Sequence, residues 1–346
     1  MVTLVAICLG GLESVVMEDI ARLAPAGATI RQFSRSKVTS SAIEVEGMLI
    51  DRGECGCGKI LISNIYDYQF IHVVRSVQHW LVYLAESTTV PSKKVEGIEH
   101  IQNTVPAGDA LISAVSSWKN CLSKTGAAKF QEFLSDSRPA KFCVRAIRDG
   151  EHGYTSLDIA GKIGESVLSK TNWTVDLVNM DFEIIALVLA ETLLIGINIP
   201  TLSPAFLKSK LPGEIRPPVV PSGITSGMRP STAYVLVQLA KPQPGDILVD
   251  AMCGGGAALI EAAYSHGCIA IGGDVDNELQ TTLLQSVQQA KDMSKSKAVA
   301  EVSSLRCCLA FKSLFSRVIH IYCPILILFL LLVGMVGCTQ ASLCRW

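Results

Sequence analysis

Charge is scarce in these 346 residues: Asp, Glu, Lys and Arg together make up 18%. The two signs nearly cancel, 31 acidic against 30 basic side chains, for a formal net charge of −1. No global basic field is present to collect nucleic acid, so any contact with a phosphate backbone must use a local patch. Metal-ligand spacing is missing too. The 12 cysteines include no Cys-x-x-Cys pair and no His–Cys cluster at zinc spacing, and Cys55-Gly-Cys57 is too tight for a zinc knuckle. Scattered free thiols fit a reducing cytoplasm or nucleus. The apolar N-terminus has no basic n-region, so residues 2–9 read as a first strand rather than a signal peptide. Proline is all but absent after Pro244, where only Pro324 follows. A dinucleotide fingerprint is also lacking: a Gly-x-Gly-x-x-Gly run starting at Gly254 needs glycine where Leu259 stands.

What is present is Asp246-Ile-Leu-Val-Asp250-Ala-Met-Cys-Gly254-Gly-Gly256-Ala. A short apolar strand ends in an acid, turns through glycines and enters a helix-forming run from Ala257 to Ala263. That is the layout of a nucleoside-binding loop on the first strand of a doubly wound sheet. Glycines let the backbone turn sharply and approach a ligand closely. The carboxylate of Asp250 would repel a pyrophosphate and suits a cationic or hydroxyl-bearing face. A second strand, from Cys268 to Asp274, ends in another acid 20 residues after Gly254, where it can hydrogen-bond both ribose hydroxyls. Acid, glycine turn and ribose acid together fit S-adenosylmethionine. Asp250, Met252, Cys253, Gly254, Gly256 and Asp274 are the candidate cofactor-binding residues. An ordinary strand–turn–helix with surface acids is the competing account. Cys253 has no paired base, which argues against a nucleophile.

Upstream, Leu12, Val15, Val16, Ile20 and Leu23 recur at helical spacing. Ala42–Glu46 alternates like a strand, and Leu111, Val115, Trp118 and Leu122 mark one face of a helix over 108–123. Residues 1–125 thus read as a small α+β domain. A second unit, 129–207, contains a strand from Lys141 to Arg145 and a Thr155/Asp158 capping box opening a helix to Ser169. Two apolar strands, Phe182–Leu189 and Leu193–Ile199, turn around Glu191-Thr192 as a hairpin. Nine of the 14 prolines lie between 200 and 244, which makes 208–227 a linker.

Several of these segments resemble one family. Asp250-Ala-Met-Cys-Gly-Gly-Gly-Ala is similar to the Asp-Pro-Met-Cys-Gly-x-Gly-Thr loop of the THUMP-domain RNA guanosine N2-methyltransferases. Ala251 stands in place of the family proline and Ala257 in place of its threonine. Met228-Arg-Pro-Ser-Thr-Ala233 resembles the segment that precedes that loop. Ala114–Leu122 and Thr155–Gly164 resemble the THUMP domain-containing protein 2 branch. The likeness spans roughly residues 1 to 290. It implies α+β ferredoxin-like and THUMP domains (1–125 and 129–207), followed by an incomplete α/β Rossmann-like methyltransferase domain (228–290). It implies S-adenosylmethionine as cofactor and structured RNA, a tRNA or the U6 small nuclear RNA, as substrate. A small zinc-binding activator subunit is the implied partner. Asp250 would sit near the methionine amino group, Gly254 and Gly256 under the cofactor and Asp274 on the ribose. Arg229 and Ser231 would shape the pocket floor. Lys129, Lys141, Arg145 and Arg148 are candidates for phosphate contacts; a solvated charged face explains these four equally well.

The family's (Asn/Asp)-(Pro/Ile)-Pro-(Phe/Tyr) motif holds the guanine amine in a near-attack arrangement. Its counterpart is not found here: Pro324 lies in Tyr322-Cys-Pro-Ile-Leu, with no acid or amide beside it. No catalytic residue is therefore assigned, and the chain as written is expected to lack turnover. Residues 291–346 diverge from the family, and Val318–Cys338 is almost wholly apolar, preceded by Arg306, Lys312 and Arg317. That run meets the length and charge criteria for a tail anchor in a membrane. Foreign sequence from a retained intron or a gene-model error is the alternative, and it better explains why the run replaces an essential half-domain. A non-catalytic RNA-binding protein, tail-anchored or not, is the second functional expectation.

Overall fold

The structure is a computed structural model and describes residues 2–33, 43–45, 48–50, 58–122, 138–200, 228–250, 252–272 and 306–307. Two compact units divide the chain, Met1–Ile215 and Arg216–Trp346, with the division inside the proline-rich stretch.

In the first unit, strand β1 (Val2–Ile7) leads to helix α1 (Glu13–Leu23) and strand β2 (Thr29–Gln32). Val16 and Ile20 of α1 are buried as their spacing predicts, whereas Leu23 at the helix end is exposed. A small hairpin joins β3 (Ile43–Val45) and β4 (Met48–Ile50). Next come β5 (Lys59–Ile65), β6 (His79–Ser87), α2 (Lys94–Thr104) and α3 (Gly108–Cys121). Beyond these lie β7 (Lys141–Asp149), α4 (Ser156–Lys170), β8 (Thr174–Val175), β9 (Phe182–Leu189) and β10 (Thr192–Ile199). The capping box is formed: the Thr155 hydroxyl accepts from the Asp158 backbone N–H, and the Asp158 carboxylate accepts from that of Thr155.

Among the described residues, eight strands make one sheet in the order β2-β5-β1-β6-β10-β9-β7-β8. Strand β6 pairs antiparallel with β10, from Trp80 opposite Ile199 to Ser87 opposite Leu193. The strands read as two N-terminal domains, 1–125 and 129–207, therefore share a single sheet. The predicted hairpin is present, with β9 and β10 antiparallel. Both are buried along almost their whole length, because each is a central strand with cover on two faces. That is why their sequences are continuous apolar runs rather than alternating ones. Gly196 sits at an irregularity in the β6–β10 register, where a Cβ would come within 2.8 Å of Leu81 Cβ and 2.9 Å of the Val82 carbonyl oxygen.

An aromatic cluster crosses the predicted boundary. Trp118 of α3 lies 5.8 Å from Phe182 of β9, and Trp173 lies 5.2 Å from Phe182 and 6.0 Å from Phe142 of β7. The hairpin tip is strained, with Ala190 in the left-handed region at φ 52°. It is held there by Ala190 N–H donating to the Asp149 carbonyl (2.8 Å) and by His152 Nε2–H donating to the Ala190 carbonyl (2.7 Å). A left-handed non-glycine residue costs about 1–2 kcal/mol, and glycine gives back up to about 1 kcal/mol in chain entropy. Ala190→Gly is therefore expected to stabilise the unit by about 0.5–1 kcal/mol. A urea midpoint at or below that of the wild type would contradict this.

In the second unit, α5 (Pro230–Ala240) precedes β11 (Ile247–Asp250), α6 (Ala257–His266), β12 (Ile269–Gly272) and β13 (Arg306–Cys307). The three strands run parallel in the order β11-β12-β13. Helices α5 and α6 share a core with one face of the sheet, through Ala233, Val237, Leu248, Leu259, Ile260 and Ala270. Ile247, Val249 and Ile269 point to the other face and are exposed. Among the described residues no helix is long and apolar enough to cross a membrane. The apolar run 318–338 lies outside the described residues.

Candidate functional site

The glycine-rich loop joins the C-terminal end of β11 to the N-terminus of α6, as the sequence predicts. Its geometry follows from its residues. The Asp250 carboxylate accepts from the Met252 backbone N–H at 3.0 Å, which folds the chain back at the strand end. Gly254 (φ 51°) and Gly256 (φ 78°) are both left-handed. Between them the Gly256 N–H donates to the Cys253 carbonyl at 2.7 Å, closing a tight turn. Gly256 caps α6 and Gly267 (φ 66°) ends it. The first-turn N–H groups of α6 thus face the loop, and a helix N-terminus attracts anionic groups such as a carboxylate.

The candidate cofactor residues divide by environment. Cys253 is buried beneath the loop and Met252 is exposed on it. Around Gly254 there is room: an added Cβ would meet nothing within 4 Å. Asp274 lies outside the described residues. The strand that leads to it is present, however, and β12 pairs in register with β11 so that Gly272 lies opposite Asp250. Asp250 thus stands at the C-terminal end of its strand, at the edge where parallel sheets of this kind bind ligands. Arg229 is the N-cap of α5, its carbonyl accepting from the Ala233 N–H at 2.9 Å. Ser231 is buried in the first turn of that helix.

The four basic candidates are not one patch. Lys129 lies outside the described residues. Lys141 and Arg145 fall on the same face of β7, since side chains alternate along a strand. Each faces a carboxylate: Lys141 Nζ is 3.3 Å from Asp176 and Arg145 Nε is 2.8 Å from Glu183. Arg148 has the opposite parity, and its guanidinium donates to the Gly150 carbonyl at 3.2 Å. Burial raises the Glu183 carboxyl above its ordinary range, with Arg145 and the Asn198 amide pulling it back. The Asp176 carboxyl is lowered, chiefly by accepting from the Asn179 and Val178 backbone N–H groups. The sequence reading missed these acids. The signal for Glu183 was available as one charged residue inside an apolar strand. That for Asp176 and Asp181 was not, because both partner β7 from about 35 to 40 residues away in the chain. Buried thiols are not reactive candidates: burial pushes Cys121 up to about 12 and Cys143 up to about 11. Among the described residues there is no His/Cys/Asp/Glu group able to hold a metal ion.

Residues 124–198 match the THUMP domain, and residues 220–307 match the RMKL-like methyltransferase domain family. The mouse protein "tRNA (guanine(6)-N(2))-methyltransferase THUMP3" is 32% identical over 168 residues, which is 45% of this chain and 28% of that protein. Its bovine counterpart is 33% identical over 142 residues, 40% of this chain and 26% of that protein. The chain therefore spans little more than a quarter of the length of these curated relatives. Among solved structures, TrmN from Thermus thermophilus is similar with a TM-score of 0.52 at 18% identity, covering 90% of this chain and 73% of that one. A predicted N6-adenine-specific DNA methylase from Listeria monocytogenes is similar with a TM-score of 0.51 at 14% identity, covering 89% and 75%. At these identities the likeness concerns the fold alone. The chain thus has the fold of an α+β, THUMP-containing N-terminal unit followed by a Rossmann-like methyltransferase domain.

Proposed function

We propose that this chain supplies the RNA-gripping and cofactor-binding parts of an S-adenosylmethionine-dependent methyltransferase that forms N2-methylguanosine in RNA. The observation that carries this reading is the β11–loop–α6–β12 unit, with Asp250 at the strand end and left-handed glycines in the turn. It follows a region matched by the THUMP domain. The residues suit the cofactor. A carboxylate answers its ammonium group, a helix N-terminus answers its carboxylate, and the open space at Gly254 admits its body. When bound, S-adenosylmethionine supplies an electrophilic methyl group. Asp250, Met252, Cys253, Gly254, Gly256 and Asp274 would hold it, with Arg229 and Ser231 shaping the pocket floor. Structured RNA would lie on the N-terminal unit, with Lys129, Lys141, Arg145 and Arg148 toward its phosphates.

A tRNA or a small nuclear RNA is the substrate class within this reading, and membership of the THUMP domain-containing protein 2 branch is its finer form. A small zinc-binding activator subunit is the proposed partner, and the cytoplasm or nucleus the proposed location. A non-catalytic role is the second reading. It is favoured by the single proline after Pro244, in Tyr322-Cys-Pro324-Ile-Leu, where an Asn/Asp-Pro-Pro-Phe/Tyr motif would be needed to orient a guanine amine.

Calorimetric titration of the full chain tests the cofactor site. S-adenosylmethionine is expected to bind and NADH to give no heat. Asp250→Asn keeps an acceptor for the Met252 N–H but removes the charge. It is expected to weaken binding by about ten- to a hundredfold, the scale of one charge-assisted hydrogen bond. No heat with S-adenosylmethionine would refute the proposal. Incubation with RNA and labelled cofactor separates the two readings, since methyl transfer by the purified chain would exclude the non-catalytic one.

A further inference from the structure

Gly272 is a glycine that its backbone does not require. It lies in regular β12, opposite Asp250 in the parallel ladder, and is not among the left-handed glycines. What it supplies is space. A Cβ at this position would lie 2.5 Å from Leu259 Cδ1, 2.9 Å from Cys253 Sγ and 3.3 Å from Cys253 Cβ. Neither neighbour has room to swing aside, because Leu259 is fully buried and Cys253 is 9% exposed. Gly254 in the loop and Gly267 at the end of α6 are the opposite case: their φ angles demand glycine, while an added Cβ meets nothing within 4 Å.

The dinucleotide fingerprint reserves its third glycine for close approach of helix and strand. Here the sizes are inverted. The helix carries Leu259 where that glycine would stand, and the strand carries the glycine. The two contacts share one consequence and differ in another. Leu259 and Cys253 both belong to the core shared by α5 and α6, so pressure on either disturbs packing. Cys253 also belongs to the cofactor loop, and its carbonyl holds the Gly256 N–H that closes the turn, so pressure on it is passed to the loop backbone.

We infer that Gly272 is a positioning residue for the cofactor loop, acting through the Cys253 side chain to seat the loop against β12. This rests on the cofactor reading above. The test is a double-mutant cycle on the full chain, reading S-adenosylmethionine affinity by calorimetry and the thermal midpoint by circular dichroism. Gly272→Ala is expected to weaken binding about tenfold or more and to lower the midpoint, as overpacking of a closed core does. With Cys253→Ala already present, Gly272→Ala is expected to change affinity less than about twofold, because the 2.9 Å sulfur contact is gone. With Leu259→Ala present, it is expected to lower the midpoint less than in the wild type while weakening binding as much. A merely structural role would move affinity and midpoint together in every background. Equal binding by the wild type and Gly272→Ala, or an equal loss with and without Cys253→Ala, overturns the inference and leaves the cofactor reading standing. Absence of binding by the wild type overturns the cofactor reading itself, and the inference with it.

Discussion

Trp118→Ala is expected to destabilise the N-terminal unit by about 3–5 kcal/mol, the range for removing a buried Trp or Phe side chain. Domains of this kind are stable by only about 5–15 kcal/mol, so the loss is a large fraction of the total. The physical reason is twofold. Trp118 is fully buried against Phe182 at 5.8 Å, and its Nε1–H donates to the Asn198 carbonyl at 2.7 Å. Truncation opens a cavity and also leaves that carbonyl unsatisfied. Trp118→Phe separates the two effects: it keeps most of the aromatic contact, loses the donor, and is expected to cost about 1–3 kcal/mol. Urea unfolding followed by far-ultraviolet circular dichroism reads both. A cost under about 1 kcal/mol for the alanine variant would mean that α3 does not brace the sheet. The result bears on function because α3 ends at Cys121, before residue 124, where the THUMP match begins. The region matched by the THUMP domain is thus braced by a helix outside it.

The second large effect is expected at Asp181, at the root of β7. Its side chain is 9% exposed and accepts hydrogen bonds from Arg138 Nη1 and Nη2, at 2.9 and 2.7 Å, as well as from the Lys141 backbone N–H at 2.7 Å. Removing one partner of a buried ion pair costs about 3–5 kcal/mol, and the Arg138 side chain, 34% exposed, places Asp181→Ala near 3 kcal/mol. Asp181→Asn retains an acceptor for the Lys141 N–H and is expected to lose about half as much. Arg138→Ala leaves a carboxylate that still holds that N–H and is the mildest of the three. Denaturant midpoints with this ranking would establish Asp181 as the anchor of β7, whereas equal losses in all three would reduce it to a plain ion pair. Since β7 carries Lys141, Arg145 and Arg148, the alanine variant is expected to weaken RNA binding in step with its loss of stability.

Local signals were legible where local physics decides. The capping box at Thr155 and Asp158, the hairpin of β9 and β10, and the strand–glycine–helix run after Asp250 each depend on residues within a few positions of one another. Sequence spacing resolves such features because the backbone geometry they need is set by those same residues. Leu23 shows the limit. It has helical spacing yet is exposed, since being on the apolar side of a helix does not guarantee a neighbour at its last turn.

Long-range pairing was not legible. Nothing local says that β6 will accept β10 more than 100 residues later and so fuse two expected domains into one sheet. Nor does charge type announce that Lys141 and Arg145 will meet Asp176 and Glu183, carboxylates with which any phosphate contact would have to be shared. The glycine-rich loop after Asp250 contains both lessons. By itself the sequence determined the turn, the acid at the strand end and the departure from the dinucleotide fingerprint at Leu259, because these depend on φ angles and spacing. Only the tertiary structure decided why Leu259 is tolerated: Gly272, brought beside it by the parallel pairing of β11 and β12, leaves the volume that a leucine fills.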